Sequence, residues 1–221
     1  MKKKFDKKRI YAVITEKFCL NGSSINTLKD VLKAGVKIVQ LREKNMNRDK
    51  LIKLAIKYRK LTIHYGAIFI VNDFPDIAYM VKADGVHLGQ DDMSVEEVRA
   101  KYPELIIGIS THCMKEAALA MKRGADYINI GPIFRTKTKD ISKYKQIGCF
   151  KLKKIADKIT IPFTVMGGIK TSNIRKVSAA GAEIFAMITE ITMAENIGGR
   201  IAAINKTIGA AEAQNLYLTN F

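Results

Sequence analysis

Eight short, mostly β-branched apolar runs recur along the chain: Ile10–Ile14, Lys37–Leu41, Ile68–Val71, Gly85–Leu88, Leu105–Ile109, Tyr127–Ile130, Phe163–Met166 and Ile184–Ile188. They are nearly continuous in apolar character, as strands buried on both faces must be. Between them lie longer amphipathic stretches that predict helices: Ile25–Ala34, Arg48–His64, Pro75–Lys82, Ser94–Lys101, Met114–Arg123, Lys151–Lys158, Thr171–Ala179 and Ala194–Ile208. Gly35, Gly66, Gly124 and Gly181 each follow one of these segments, where a residue with positive φ stops a helix. Eight alternating β/α pairs predict an α/β fold, a single-domain (β/α)8 barrel with its active site at the C-terminal ends of the strands. A doubly wound open sheet would place a glycine-rich turn after its first strand. Here the first run leads into Thr15-Glu16-Lys17 instead.

No linker or composition break divides the chain, so residues 10–208 are read as one barrel. A basic arm, Met1–Arg9, precedes it and a tail, Gly209–Phe221, follows it; both are candidates for disorder. With 221 residues, 48% of them hydrophobic and 27% charged, the chain has the length and composition of a globular domain. No apolar run approaches the roughly 20 residues needed to cross a bilayer. The Met1–Lys4 cluster resembles the start of a signal peptide, but the apolar stretch after it is too short to complete one. Cys19, Cys113 and Cys149 are odd in number and lack a CxxC pair, which suggests neither a disulfide framework nor a zinc site. A reducing cytoplasm is the expected compartment.

The 38 Lys and Arg outnumber the 21 Asp and Glu, a net charge of +17. Such a surplus suits nucleic acid, an acidic membrane face, small anionic ligands, or simply a solvated lysine-rich surface. The residues after each strand choose among these. After the second strand, period-two alternation puts Gln40, Arg42 and Lys44 on one face and Leu41 and Glu43 on the other. Two cations and an amide at a strand end can hold a phosphate or diphosphate. Asn72-Asp73 follows the third strand and Gly89-Gln90-Asp91-Asp92 the fourth. Two carboxylates from neighbouring loops suit Mg²⁺, which takes hard oxygen ligands and keeps several waters; either Asp91 or Asp92 could equally cap the next helix. Ser110-Thr111-His112 ends the fifth strand, and the sixth runs from Gly131–Phe134 into the basic, hydroxyl-rich segment Arg135–Asp140. Gly167-Gly168-Ile169 and Ile188-Thr189 end the last two strands, where backbone amides of this fold commonly bind phosphate. Of the three histidines, His87 reads as a core residue, His64 as solvent-facing, and His112 as the one near the mouth.

Taken in order, Gln40–Lys44, Asn72-Asp73, Ala83–Gln90 with Asp92, Ser110–His112, Gly131–Phe134 with Thr136–Lys139, and Gly167–Ile169 resemble the thiamine-phosphate synthase family over about residues 10–207. The resemblance implies a transferase that joins a hydroxymethylpyrimidine diphosphate to a thiazole phosphate, releasing pyrophosphate through a stabilised pyrimidine cation, with Mg²⁺ as cofactor. It implies catalytic roles for Arg42, Lys44 and Lys139. Gln40, Leu41, Arg42, Glu43, Lys44, Asn72, Ser110 and Lys139 would bind the pyrimidine diphosphate. Thr136, Lys137, Thr138, Gly168, Ile188 and Thr189 would bind the thiazole phosphate, and Asp73 and Asp92 the metal. Small-molecule substrates are the expected partners, with neither nucleic acid nor membrane; a homo-oligomer and the preference between carboxylated and decarboxylated thiazole stay open. Two features depart from the family pattern: Thr189 stands where serine is usual, and the segment Asp140–Gln146 is unusually basic. A thiazole tautomerase of the same superfamily, using His112, is the nearest rival reading; a basic nucleic-acid-binding protein is the rival from another class.

Overall fold

The computed structural model describes residues 9–136, 138 and 145–219, with side chains through residue 211. Eight parallel strands close into a barrel in sequence order: β1 (Ile10–Ile14), β2 (Ile38–Leu41), β3 (Ile68–Asn72), β4 (Gly85–Leu88), β5 (Ile106–Thr111), β6 (Tyr127–Ile130), β7 (Phe163–Val165) and β8 (Ile184–Met187). β1 completes the ring by pairing with β8, Tyr11 opposite Ala186. The helices are α1 (Ser24–Lys33), α2 (Arg48–His64), α3 (Pro75–Met80), α4 (Val95–Lys101), α5 (Met114–Lys122), α6 (Gly148–Ala156), α7 (Ile174–Ala179), α8 (Thr189–Thr192) and α9 (Ile197–Thr219). The predicted (β/α)8 barrel is therefore the fold. Gly35, Gly66, Gly124 and Gly181, read as helix stops, all have positive φ.

Alternation along the strands sorts the core into two layers. Outward residues such as Ile14, Val39, Leu41, Val71 and Val86 pack against the helices. Inward residues Tyr11, Val13, Ile38, Ile68, Ile70, Ile106, Tyr127 and Ile184 fill the barrel. The inward register turns polar toward the C-terminal mouth, at Gln40, Asn72, His87, Asn129 and Thr164, all of them buried. A repeated device closes the opposite end. Asp84, just before β4, accepts from Phe69 N at 2.9 Å and from Arg59 at 2.8 Å. Asp126, just before β6, accepts from Ile107 N at 2.8 Å and from Arg99 at 2.6 Å.

Three local outcomes differ from the sequence reading. The cap of α4 is Ser94, in a reciprocal capping box with Glu97, so neither Asp91 nor Asp92 has that role. A single helical turn, α8, follows β8 at once, ahead of the helix expected from Ala194. α9 continues to Thr219, past the residue-209 boundary set for the tail, because Ala210-Ala211-Glu212-Ala213-Gln214 are strong helix formers and one glycine costs too little to stop them.

Glycine inside the barrel has a steric reason. A Cβ on Gly108 would lie 2.0 Å from the ring of Tyr127. Gly108→Ala is therefore expected to destabilise the fold by about 1–3 kcal/mol through overpacking. At Gly209, in α9, an added Cβ meets nothing within 4 Å, and Gly209→Ala should stabilise by roughly 0.5–1 kcal/mol. Thermal melts of the two variants check this; equal shifts would contradict the packing assigned to Tyr127.

Candidate active site

The polar inward residues and the βα loops above them surround an open cavity at the C-terminal mouth. Gln40, Arg42, Lys44, Asn72, Asp73, Ser110, Thr136, Thr138 and Ile188 all line it, with His87, His112, Asn129 and Met166. A second lobe shares Thr136, Thr138, Met166, Gly167 and Ile188, and continues over Gly168 to Thr189 and Glu190. The residues expected to bind two different substrates thus fall in two adjoining lobes: Thr136, Thr138 and Ile188 line both, and Gly168 and Thr189 line the second alone.

In the first lobe, β2 hands its backbone to the mouth. Arg42 N bonds Ile14 O at 2.9 Å, and Thr15 Oγ1 donates to Arg42 O at 2.7 Å. Burial weakens the hold of the Arg42 guanidinium on its proton, while Asp73 and Glu43 strengthen it; arginine remains charged throughout the working range. Lys44 Nζ lies 3.0 Å from Asp73 Oδ2. Asp73 sits at φ 65, its amide bonded to His87 O at 2.9 Å, which turns its carboxyl toward β4. Asp92 Oδ2 accepts from Gly89 N at 2.6 Å. The Asp73 and Asp92 carboxyl groups are in hydrogen-bonding contact; burial and then Asp92 push the Asp73 carboxyl above the usual range, and Lys44 pulls it back. Two carboxylates forced together beside an open cavity are a donor set that fits Mg²⁺, with substrate oxygens and water completing its shell. Among the described residues no cluster of three or more His, Cys, Asp or Glu side chains could hold a metal. A two-carboxylate site that relies on substrate does not need one.

In the second lobe, Thr136 and Thr138 hydroxyls meet at 2.9 Å. Gly168 has φ 60, and a Cβ there would lie 2.5 Å from Arg135 O, so only glycine lets the β7 turn approach the β6 loop this closely. Glu190 Oε1 takes Thr171 N at 3.0 Å, Thr171 Oγ1 at 2.7 Å and Arg200 at 2.8 Å, which ties the β7 turn to α8. Thr189 is exposed at the first position of α8.

Of the expected site residues that the structure describes, three, Leu41, Glu43 and Asp92, are not among those that line the two lobes. Leu41 is buried in the outer layer against the helices, and the Glu43 carboxylate turns away to accept Glu16 N at 2.5 Å. Period-two geometry dictates both, because they are the outward positions of the β2 extension. Lys137, Lys139 and Asp140–Tyr144 lie outside the described residues. His112 does line the cavity, with its Nδ1 on Glu116 Oε2 at 2.8 Å. Asn129 was missed by the sequence reading, although it stands one inward step beyond Tyr127 in the same alternation that marked Gln40; its Oδ1 accepts from Thr164 at 2.8 Å.

Comparison with known proteins agrees with this geometry. The family model described as thiamine monophosphate synthase matches residues 10–191. The thiamine-phosphate synthase of Lawsonia intracellularis is 43% identical over 201 residues, 90% of this chain and 92% of its own. That of Pelotomaculum thermopropionicum is 40% identical over 205 residues, covering 92% and 93%. A solved thiamine phosphate pyrophosphorylase from Pyrococcus furiosus superposes with a TM-score of 0.86 at 32% identity, over 93% of this chain and 98% of that one. A 3-hexulose-6-phosphate synthase structure, at 17% identity and a TM-score of 0.66 over 90% of this chain and 99% of its own, shares the fold alone. The chain belongs to the thiamine monophosphate synthase family.

Proposed function

We propose that the two lobes hold the two halves of thiamine phosphate, and that this chain joins them by displacing pyrophosphate. The observation that carries this reading is the grouping of Arg42, Lys44 and Asp73 in one lobe, with Asp92 against the Asp73 carboxyl, opening directly onto the hydroxyl- and glycine-lined lobe of Thr136, Thr138 and Gly168. A diphosphate gains charge as its C–O bond breaks, so fixed cations in a partly dry site stabilise the transition state more than the ground state. Arg42 and Lys44 occupy that position. Gln40, Asn72 and Ser110 sit deeper and would orient the pyrimidine ring and the near end of its diphosphate. The bridging C–O electron pair leaves with pyrophosphate, and the thiazole nitrogen supplies the pair for the new C–N bond. No general base is needed, because that nitrogen carries a free lone pair. Thr136 and Thr138 would anchor the thiazole phosphate with the amides near Gly168 and Thr189, holding the nitrogen in line with the exocyclic methylene. The family resemblance adds Lys139 to the diphosphate end and Lys137 to the phosphate end.

Asp73 and Asp92 are the residues that would hold Mg²⁺, and the ion would supply Lewis-acid neutralisation of the leaving diphosphate. A thiazole tautomerase would not require the paired carboxylates and cations that the first lobe assembles, so His112 takes no part as a proton shuttle in this reading. The Glu116 carboxylate holds its ring against the wall. We place the reaction in the cytoplasm. No helix among the described residues is long and apolar enough to cross a membrane.

The purified chain should form thiamine phosphate and pyrophosphate only when both substrates and Mg²⁺ are present. Isomerisation of the thiazole alone, without condensation, would contradict the reading. Arg42→Ala should lower kcat/KM by about two to three orders of magnitude, the loss usual for one preorganised charge partner, while the melting temperature stays near wild type; near-normal turnover would remove Arg42 from the site. Protons and Mg²⁺ compete for Asp73 and Asp92. Because the Asp73 carboxyl titrates above its usual range, the Mg²⁺ concentration for half-maximal turnover should rise as pH falls through that titration. A half-saturation independent of pH on the acid side would argue against carboxylate ligation.

A further inference from the structure

Beneath the first lobe, five side chains from five strands form one continuous line of hydrogen bonds across the barrel. Gln40 Nε2 donates to Tyr11 Oη at 2.8 Å. Tyr11 Oη lies 3.0 Å from Tyr127 Oη, Tyr127 Oη 2.9 Å from His87 Nδ1, and His87 Nε2 3.0 Å from Ser110 Oγ. Gln40, Tyr11, Tyr127 and His87 are buried, and Ser110 is half-buried at the cavity wall. Only the two ends, Gln40 and Ser110, are placed in the reading above as substrate contacts. The three groups between them have no role in it.

Counting hydrogens gives the line a direction. Four links need four protons. Tyr11, Tyr127 and a neutral His87 supply at most one each, so at least one end must donate inward. Burial pushes both phenols well above their ordinary range, so each keeps its single hydrogen. With the Gln40 amide nitrogen on Tyr11, Gln40 is the donating end. Of the arrangements this allows, the one that keeps every buried hydrogen inside the line has Tyr11 donating to Tyr127, Tyr127 to His87 Nδ1, and His87 Nε2–H to Ser110 Oγ, so that the surplus hydrogen falls on Ser110 at the cavity wall. Two consequences reach the cavity: Gln40 offers its carbonyl oxygen there, an acceptor, and Ser110 has its own hydroxyl hydrogen to give, a donor. Reversing the line would exchange both, with Gln40 offering N–H groups and Ser110 only lone pairs. An imidazolium at His87 would leave one tyrosine hydrogen without an acceptor in the line unless Gln40 were flipped.

We propose that Tyr11, Tyr127 and His87 are positioning residues that fix this polarity. They thereby select a ligand with an N–H donor opposite Gln40 and an anionic oxygen opposite Ser110. An amino-substituted ring carrying a diphosphate has this pattern, so the proposal rests on the reading of the first lobe as the pyrimidine diphosphate site and adds how that site discriminates. A ring with a carbonyl in place of the amino group would set two acceptors against each other at Gln40. Such a mismatch inside a buried site is costly because neither group is satisfied.

Two measurements test it. The first is ¹⁵N NMR of imidazole-labelled protein without ligands, with the His87 signals assigned by their loss in His87→Asn. The expected state is neutral His87 with its proton on Nε2; a proton on Nδ1, or an imidazolium, at neutral pH overturns the proposal whatever the protein catalyses. The second uses Tyr11→Phe and Tyr127→Phe, which keep the rings and delete one link each. In variants that still fold, KM for hydroxymethylpyrimidine diphosphate should rise roughly threefold to tenfold, the value of one lost hydrogen bond, with KM for thiazole phosphate unchanged. Both KM values unchanged, or both raised equally, would show that the line only supports the fold. Absence of condensation by the wild-type chain would overturn the functional reading and leave the NMR result to decide the line by itself.

Discussion

Closing eight strands leaves a shaft that side chains must fill, so every inward position is spent either on packing or on the site. The lower part is given to packing: Ile38, Ile68, Ile106 and Ile184 occupy it, with Gly108 set back so that the ring of Tyr127 fits. One or two inward steps higher the same register carries Gln40, Asn72, His87, Ser110 and Asn129. The site is therefore the upper part of the core rather than an addition to it. Its polar side chains are held by neighbours on the adjoining strands, as a preorganised site requires. The charged groups stand on the loops above, where Lys44 meets Asp73 and Asp73 meets Asp92, with Arg42 beside them.

The charge surplus has a divided explanation. Arg42 and Lys44 face the cavity, where a diphosphate would complement them. Many others, such as Lys53, Lys57 and Lys60 on α2, stand on exposed helix faces. Several arginines serve architecture: Arg59 and Arg99 pin the aspartates that close the lower end of the barrel. A positive field around the mouth can still steer two anionic substrates toward it.

The strands were legible because a buried parallel strand leaves an unbroken apolar run, and the mouth residues because each follows such a run. The alternation had already put Leu41 and Glu43 on the far side from Gln40 and Arg42. Treating Gln40–Lys44 as one block lost that information, and the structure restores it. The interior line was not legible. Tyr11 and Tyr127 are 116 positions apart and each reads as an ordinary core aromatic; His87, 40 positions from Tyr127, reads as a satisfied histidine, which it is, without showing what satisfies it. Such partners exist only once the barrel is closed. The full length of α9 was hidden for a simpler reason: the helical pattern was ended at Ile208 and the tail begun at Gly209, yet the residues after that glycine favour helix strongly enough to continue.

Under the proposed function, two phosphorylated ligands would occupy adjoining lobes that share Thr136, Thr138, Met166, Gly167 and Ile188. The most direct measurement is a crystal structure of the chain with Mg²⁺, the thiazole phosphate and an unreactive analogue of the pyrimidine diphosphate. The account predicts the diphosphate against Arg42, Lys44 and the metal at Asp73 and Asp92, and the monophosphate against Thr136, Thr138 and the Gly168 turn. Both phosphate groups in the same lobe, or a diphosphate bound away from Arg42 and Lys44, would contradict it.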